Sequence, residues 1–263
     1  MSSIYYNHKV WLTIDIEEIT DTNFNIRWKC SSDLKYEKLI ESWIELNNRL
    51  GYKSTCFVLG SFATKYPNLI KKLYDNGHEI ASHGINHALV NSISIKEWRD
   101  SIYKSKHILE DIIGEEVKGY RSASWSLPFD KDYYEILIEE GYSYSSSYFP
   151  IKTYMYGNSI DKKRPFKIST NMGEITEYPI LKNIIPYSGG FYLRAIPFII
   201  EKYLLNNSIK QGYKPIIYIH PYELLDINLI NYFRKKTSIN LDFILAFYST
   251  SSPLKKIEKL LYD

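Results

Sequence analysis

Lys9-Val10-Trp11-Leu12-Thr13-Ile14-Asp15-Ile16-Glu17 alternates without a break, with Val10, Leu12, Ile14 and Ile16 on one side and Trp11, Thr13, Asp15 and Glu17 on the other. Successive side chains of a strand point to opposite faces, so this period of two reads as a β-strand. One face is aliphatic throughout. The other starts with Trp11 and Thr13, which suit an interior, and ends in two carboxylates. Buried carboxylates are costly unless a cation or an arginine compensates them. The C-terminal ends of strands are also where an α/β fold gathers its catalytic groups.

Further apolar, β-prone runs follow at 54–59, 79–82, 118–120, 175–180, 215–220 and 241–247. Helical patterns fall between them. One covers 61–76 and stops at Gly77; another starts at Ser94, where Ser-Ile-Lys-Glu reads as a capping box, and ends before Gly114. Others are expected at 130–140, 196–209 and 253–261, while 148–173 reads as a long loop. Strands alternating with helices of this length predict parallel βαβ units, and an α/β barrel and a doubly wound sheet both fit. No linker or internal repeat divides the chain, so 1–263 reads as one domain.

Composition narrows the function classes. The 263 residues are 44% hydrophobic and 24% charged, enough for a sizeable core and unlike a disordered chain. Lys+Arg 33 against Asp+Glu 30 leaves +3 without a basic arm, so nucleic acid is not an expected partner. Cys30 and Cys56 form no CxxC and no disulfide framework. No run approaches roughly 18 apolar residues, which predicts a cytoplasmic protein without membrane spans, able to meet a lipid-linked substrate at the cytoplasmic face. The 25 tyrosines are the compositional oddity.

Of six histidines, His83 and His87 stand four apart just after a short strand, a spacing that suits a divalent metal. Arg121 follows the strand at 118–120, and His220 ends the one at 215–220. Four strand ends thus offer carboxylates, a histidine pair, an arginine and a histidine, the makings of a metal hydrolase.

These residues sit in motifs that resemble the polysaccharide deacetylase (NodB homology) superfamily, in its carbohydrate esterase family four-like form and in the branch associated with bacterial surface-polysaccharide clusters. In order they are Thr13-Ile14-Asp15-Ile16-Glu17, the stretch from Gly77 to His87, the stretch from Gly119 to Ser126, Tyr144-Ser145-Ser146-Ser147-Tyr148-Phe149-Pro150, and Tyr218-Ile219-His220-Pro221-Tyr222-Glu223-Leu224. The resemblance implies a distorted (β/α) barrel of seven or eight strands and a metal-dependent hydrolase that removes acetyl groups from sugars. It assigns Asp15 as general base, Arg121 as the group holding that base, and His220 as general acid. Glu17, His83 and His87 are implied as ligands of a divalent metal, with zinc the commonest choice and cobalt, nickel or manganese also accommodated. Trp125, Tyr148, Tyr222 and Arg194 are implied as saccharide contacts, with Tyr192 nearby; the flat rings of the aromatics suit sugar faces.

The implied substrate is a saccharide, as a nucleotide sugar, a lipid-linked precursor or a polymer, carrying an N-acetyl or O-acetyl group. Three departures stand out. Glu17 replaces the family's metal-binding Asp. Ser122-Ala123 stands where a proline is usual, which should loosen the following loop. Ser145 stands where an Asp supports the acidic histidine, which should leave His220 less basic. Alternatives are an amidohydrolase acting on formyl or small cyclic amide groups, and a carbohydrate-binding relative that has lost turnover.

Overall fold

A computed structural model describes residues 8–23, 34–151, 157, 162–182, 186–187, 189–225, 228, 230–231, 241–249 and 253–262; Cys30 lies outside them. Eight strands form one sheet: β1 (Trp11–Ile16), β2 (Thr55–Val58), β3 (Glu79–Ser82), β4 (Gly119–Tyr120), β5 (Tyr144–Ser145), β6 (Phe166–Thr170), β7 (Gly173–Glu177) and β8 (Ile216–Ile219). Their spatial order is β6-β7-β5-β4-β3-β2-β1-β8. Every neighbouring pair is parallel except the antiparallel hairpin β6–β7.

The sheet curls into a distorted barrel. Trp11 of β1 packs edge-on against Tyr178, just past β7, with ring centroids 5.2 Å apart, although four strands separate β1 from β7 in the sheet. Inside the curl lie Trp11, Phe57, Ala81, Tyr144, Tyr178, Ile216 and Tyr218, with Trp125 and Phe149 above them. Outside it, Leu12, Ile14 and Ile16 join the larger layer between sheet and helices. The alternation of the first strand is therefore the division between two cores. Much of the tyrosine excess fills them.

Nine helices surround the sheet among the described residues: α1 (Tyr36–Leu50), α2 (Gly60–Lys65), α3 (Pro67–Asp75), α4 (Ile95–Ile113), α5 (Lys131–Glu139), α6 (Gly190–Ala195), α7 (Phe198–Lys210), α8 (Leu241–Phe247) and α9 (Pro253–Leu261). None of them is long and apolar enough to cross a membrane. The capping box at Ser94 forms as predicted, with the Ser94 side chain accepting from the Glu97 N–H and Glu97 accepting from the Ser94 N–H.

Other elements differ from the sequence reading. The helix expected at 61–76 is two, because Tyr66 leaves helical geometry (φ −129°, ψ 54°) and Pro67 opens the next helix at the first turn, where its missing N–H costs nothing. The run 241–247, read as β-prone, is the helix α8; a short apolar run cannot be told from a buried helix segment by periodicity. Strand β6 lies within the expected loop 148–173.

Beneath the C-terminal ends of the strands, Trp11 donates to Thr55 Oγ1, Thr55 donates to Glu79 Oε2, and the Tyr144 hydroxyl donates to Glu79 Oε1, closing the barrel floor. Tyr144 reaches Glu79 by crossing Gly119, where an added Cβ would lie 2.1 Å from the tyrosine ring. Gly119→Ala should therefore overpack the interior and cost about 1–3 kcal/mol. In a thermal melt this appears as a midpoint lower by a few degrees; an unchanged midpoint would show that the floor tolerates the extra methyl.

Candidate active site

Strands β1, β3, β4 and β8 deliver their C-terminal residues to one end of the barrel. Position two along β1 from the interior Thr13, Asp15 meets Arg121, which follows β4; the Arg121 Nη1 to Asp15 Oδ1 distance is 2.6 Å, and both side chains are buried. The same guanidinium donates to Thr13 Oγ1, the Ser146 carbonyl and Ser146 Oγ, and it stacks 3.9 Å from the Phe57 ring centroid. Burial alone would raise the Asp15 pKa. The charges of Arg121, His83 and His220 outweigh it and hold the carboxyl below its ordinary value.

Glu17 lies at the next interior position, beside both imidazoles predicted as its partners. Its Oε2 is 3.2 Å from His87 Nε2 and 4.0 Å from His83 Nε2, and all three side chains are buried. His83 Nδ1 donates to the Arg121 carbonyl at 2.8 Å, which fixes the tautomer and turns the Nε2 lone pair toward Glu17. Burial depresses both histidines, His87 to about 3, which favours the neutral imidazole. It pushes Glu17 the other way, up to about 8.

The donor chemistry fits a divalent cation. One carboxylate oxygen and two imidazole nitrogens lie within 4.8 Å of one another, compatible with ligands about 2 Å from a common centre. Glu17 Oε2, although buried, accepts no hydrogen bond, so its lone pairs are left for a cation.

His220 follows β8 and turns its Nε2 toward Glu17 Oε1, 3.9 Å away. Its Nδ1 donates to Glu223 Oε2 at 2.8 Å, and its backbone N–H donates to the same oxygen. Burial would lower the His220 pKa, but the hydrogen bond and charge of Glu223, helped by Glu17 and Asp15, raise it to about 9. Glu223 is wholly buried, and Arg194 of α6 reaches its other oxygen. Tyr222 stacks on the imidazole with centroids 5.0 Å apart.

Sequence reasoning missed Glu223, although its position three residues after His220 places it back on the imidazole across a single 3₁₀ turn. This changes the reading of Ser145. No support for His220 is needed from that position, and the Ser145 hydroxyl instead donates to Ser147 Oγ. The loop after Ser122 is likewise not loosened: Ser122 Oγ accepts from the Leu127 N–H, Ser122 N–H donates to Ser147 Oγ, and Ser126 Oγ accepts from the Val90 N–H. Glu177, another buried carboxylate missed from sequence, accepts from the N–H groups of Ser147 and Tyr148 and so fixes the loop that offers Ser146 to Arg121.

The expected saccharide contacts divide. Trp125, held at φ 50° in a left-handed turn, lies 5.8 Å from the Arg121 guanidinium, and its buried indole N–H has no hydrogen-bond partner. The other three are placed in the packing. Tyr148, 1% exposed, packs edge-on against Phe129 and Phe166; Tyr222 is the support under His220; and Arg194 belongs to the Glu223 pair.

Comparison with known proteins places the chain in a family. The polysaccharide deacetylase family matches residues 9–145, and a domain of unknown function (DUF3473) matches 146–262. A peptidoglycan-N-acetylglucosamine deacetylase of Bacillus cereus is 32% identical over 82 residues, 31% of this chain and 29% of the relative. A peptidoglycan deacetylase of Helicobacter pylori is 26% identical over 104 residues, 40% of this chain and 35% of the relative. The matches thus span about a third of these relatives' lengths. A solved structure from Mycobacterium smegmatis, described as a polysaccharide deacetylase, superposes with a TM-score of 0.60 at 15% identity, covering 97% of this chain and 86% of that one.

The role found for Glu223 can be measured directly. Glu223→Gln keeps a hydrogen-bond acceptor but removes the charge, so the His220 pKa should fall from about 9 toward its ordinary 6.5. Titration of the ring protons by NMR reads this as a lower midpoint. A midpoint that stays in place would mean that other groups hold the imidazole charged.

Proposed function

The chain belongs to the polysaccharide deacetylase family, and on that premise we propose that it hydrolyses the acetyl amide of an N-acetylated saccharide, using a divalent cation held by Glu17, His83 and His87. The observation that carries this reading is Glu17 Oε2, a buried acceptor without a hydrogen bond, facing two imidazoles between the Asp15–Arg121 pair and His220, which Glu223 holds. A bound divalent cation supplies Lewis acidity, polarising a carbonyl and acidifying water. Zinc is the proposed ion, since two imidazoles and one carboxylate suit it, and cobalt, nickel and manganese accept the same set.

Asp15, kept ionised by Arg121, takes the proton from the attacking water. His220, charged up to a pH of about 9, gives its Nε2 proton to the departing amine, which leaves as the free amino sugar beside acetate. The pKa order is what this division of labour needs: the base is held low and the acid high. The orphan indole N–H of Trp125 is available to a substrate oxygen.

Both curated relatives are named for deacetylation of peptidoglycan, which supports a glycan N-acetyl group as the target. Nucleotide-sugar and lipid-linked precursors, met in the cytoplasm, are the substrates we favour over polymer. The whole chain is proposed as one catalytic domain, because Ser146, Arg194, His220 and Glu223 lie beyond the stretch matched by the deacetylase family yet touch residues within it or support the acid.

Acetate release from N-acetylated sugar precursors should vanish with a chelator and return with added zinc or cobalt. His83→Ala should lower turnover by about a hundredfold or more, beyond the usual cost of losing an outer partner of a ligand, and atomic spectroscopy should find less bound metal. Release indifferent to chelation would sink the reading, and preference for O-acetyl, formyl or cyclic amide compounds would replace its substrate.

A further inference from the structure

Helix α7 is apolar on more than its inner side. Leu205 enters the core and Leu204 and Ile209 pack against it, yet Ile199, Ile200 and Tyr203 are 81%, 50% and 68% exposed. A surface helix normally keeps its outer face polar. These three residues share one face, since positions three and four apart are neighbours on a helix. Next to them, Phe198 shares a shallow surface depression with Glu258, Lys259 and Tyr262, the last of which is 72% exposed.

The charge on the two helices that carry this apolar face is net positive. Helices α7 and α9 carry five lysines against two glutamates, an excess equal to the formal charge of the entire chain. Both glutamates are already paired, Glu201 with Lys256 at 2.5 Å in the interior and Glu258 with Arg49 at 2.9 Å at the surface. Lys210, Lys255 and Lys259 are exposed, and the Lys202 amine lies 5.8 Å from the Phe198 ring.

Topology sets where this face looks. Strands β7 and β8 run in the same direction, so α7, which returns from the end of one to the start of the other, has its first turn at the catalytic end of the barrel. Lys256 reinforces the placement by donating to the carbonyls of Leu193 and Ile196, at the end of the helix whose Arg194 supports Glu223.

We propose that the face made by the first turns of α7 and the end of α9 docks on an anionic lipid surface, with Ile199, Ile200 and Tyr203 at the boundary of headgroups and acyl chains and the lysines on lipid phosphates. Bulky apolar and aromatic side chains bordered by lysine are what interfacial binding needs. A second copy of the chain is the poorer occupant, because a two-fold contact would set the same lysine excess against itself. The docking stands on these observations alone. Its consequence, that the substrate is a lipid-linked saccharide whose head reaches the site from the same bilayer, rests on the deacetylase reading.

Flotation of the full chain with phosphatidylcholine vesicles, with and without phosphatidylglycerol, tests this. The chain should float with the anionic vesicles and release them as salt rises. Ile199→Glu combined with Tyr203→Glu should lose at least about tenfold in bound fraction while keeping its thermal melt and its acetate release from a water-soluble substrate. Lys255→Glu combined with Lys259→Glu should lose about fivefold or more per lysine. The proposal is overturned if the parent chain stays with the solution, if both variants float like the parent, or if light scattering shows a dimer that the apolar variant splits. Flotation without acetate release would sink the deacetylase reading alone, and acetate release without flotation would sink the docking alone.

Discussion

The buried guanidinium of Arg121 is the interaction on which the catalytic end depends. Its donors reach Asp15, Thr13 and both oxygens of Ser146, and its own backbone carbonyl receives the His83 ring. One residue thereby sets the ionisation of Asp15 and the tautomer of His83, the proposed base and one of the proposed metal ligands. A buried ion pair of this kind is weak support for stability taken as a whole, but removal of one member leaves the other as an uncompensated charge. Lysine could not take its place, since a single ammonium lacks the planar fork that spans three strands' ends.

Three carboxylates share this small volume and meet different fates. Asp15 is held low by Arg121 against its burial, and Glu223 is held low by Arg194 and His220. Glu17, buried without a fixed cation of its own among the side chains, is pushed up. Environment rather than residue type separates them, and this separation is what the proposed roles of base, support for the acid and ligand draw on.

Much of this was legible in the sequence, for reasons of periodicity. The alternation from Val10 to Glu17 gave both the strand and the side on which Asp15 and Glu17 lie, and the spacing of His83 and His87 brought both nitrogens to Glu17. Residues whose role depends on a distant element were not legible. Arg194 reads as a contact for sugar until α6 is seen to set it against Glu223, and Tyr148 and Tyr222 read as groove walls until packing turns them inward. The helical state of 241–247 was hidden because a short apolar run carries too few residues for its period to show, whereas the split of 61–76 was signalled by Pro67, which ends a helix at the residue before it.

The place of β1 in the sheet also governs how the protein can be made. β1 lies between β2 and β8, and Thr13 Oγ1 donates to the carbonyl of Ile217, 204 residues later. While a ribosome is still translating the middle of the chain, one edge of the first strand has no partner, and Trp11 and the carboxylates beyond it have no closed interior. Pairings this far apart in sequence are slow to form, and an open apolar edge in the meantime invites association with other chains. The first strand therefore gains its second neighbour only once Ile216–Ile219 is available to pair with it.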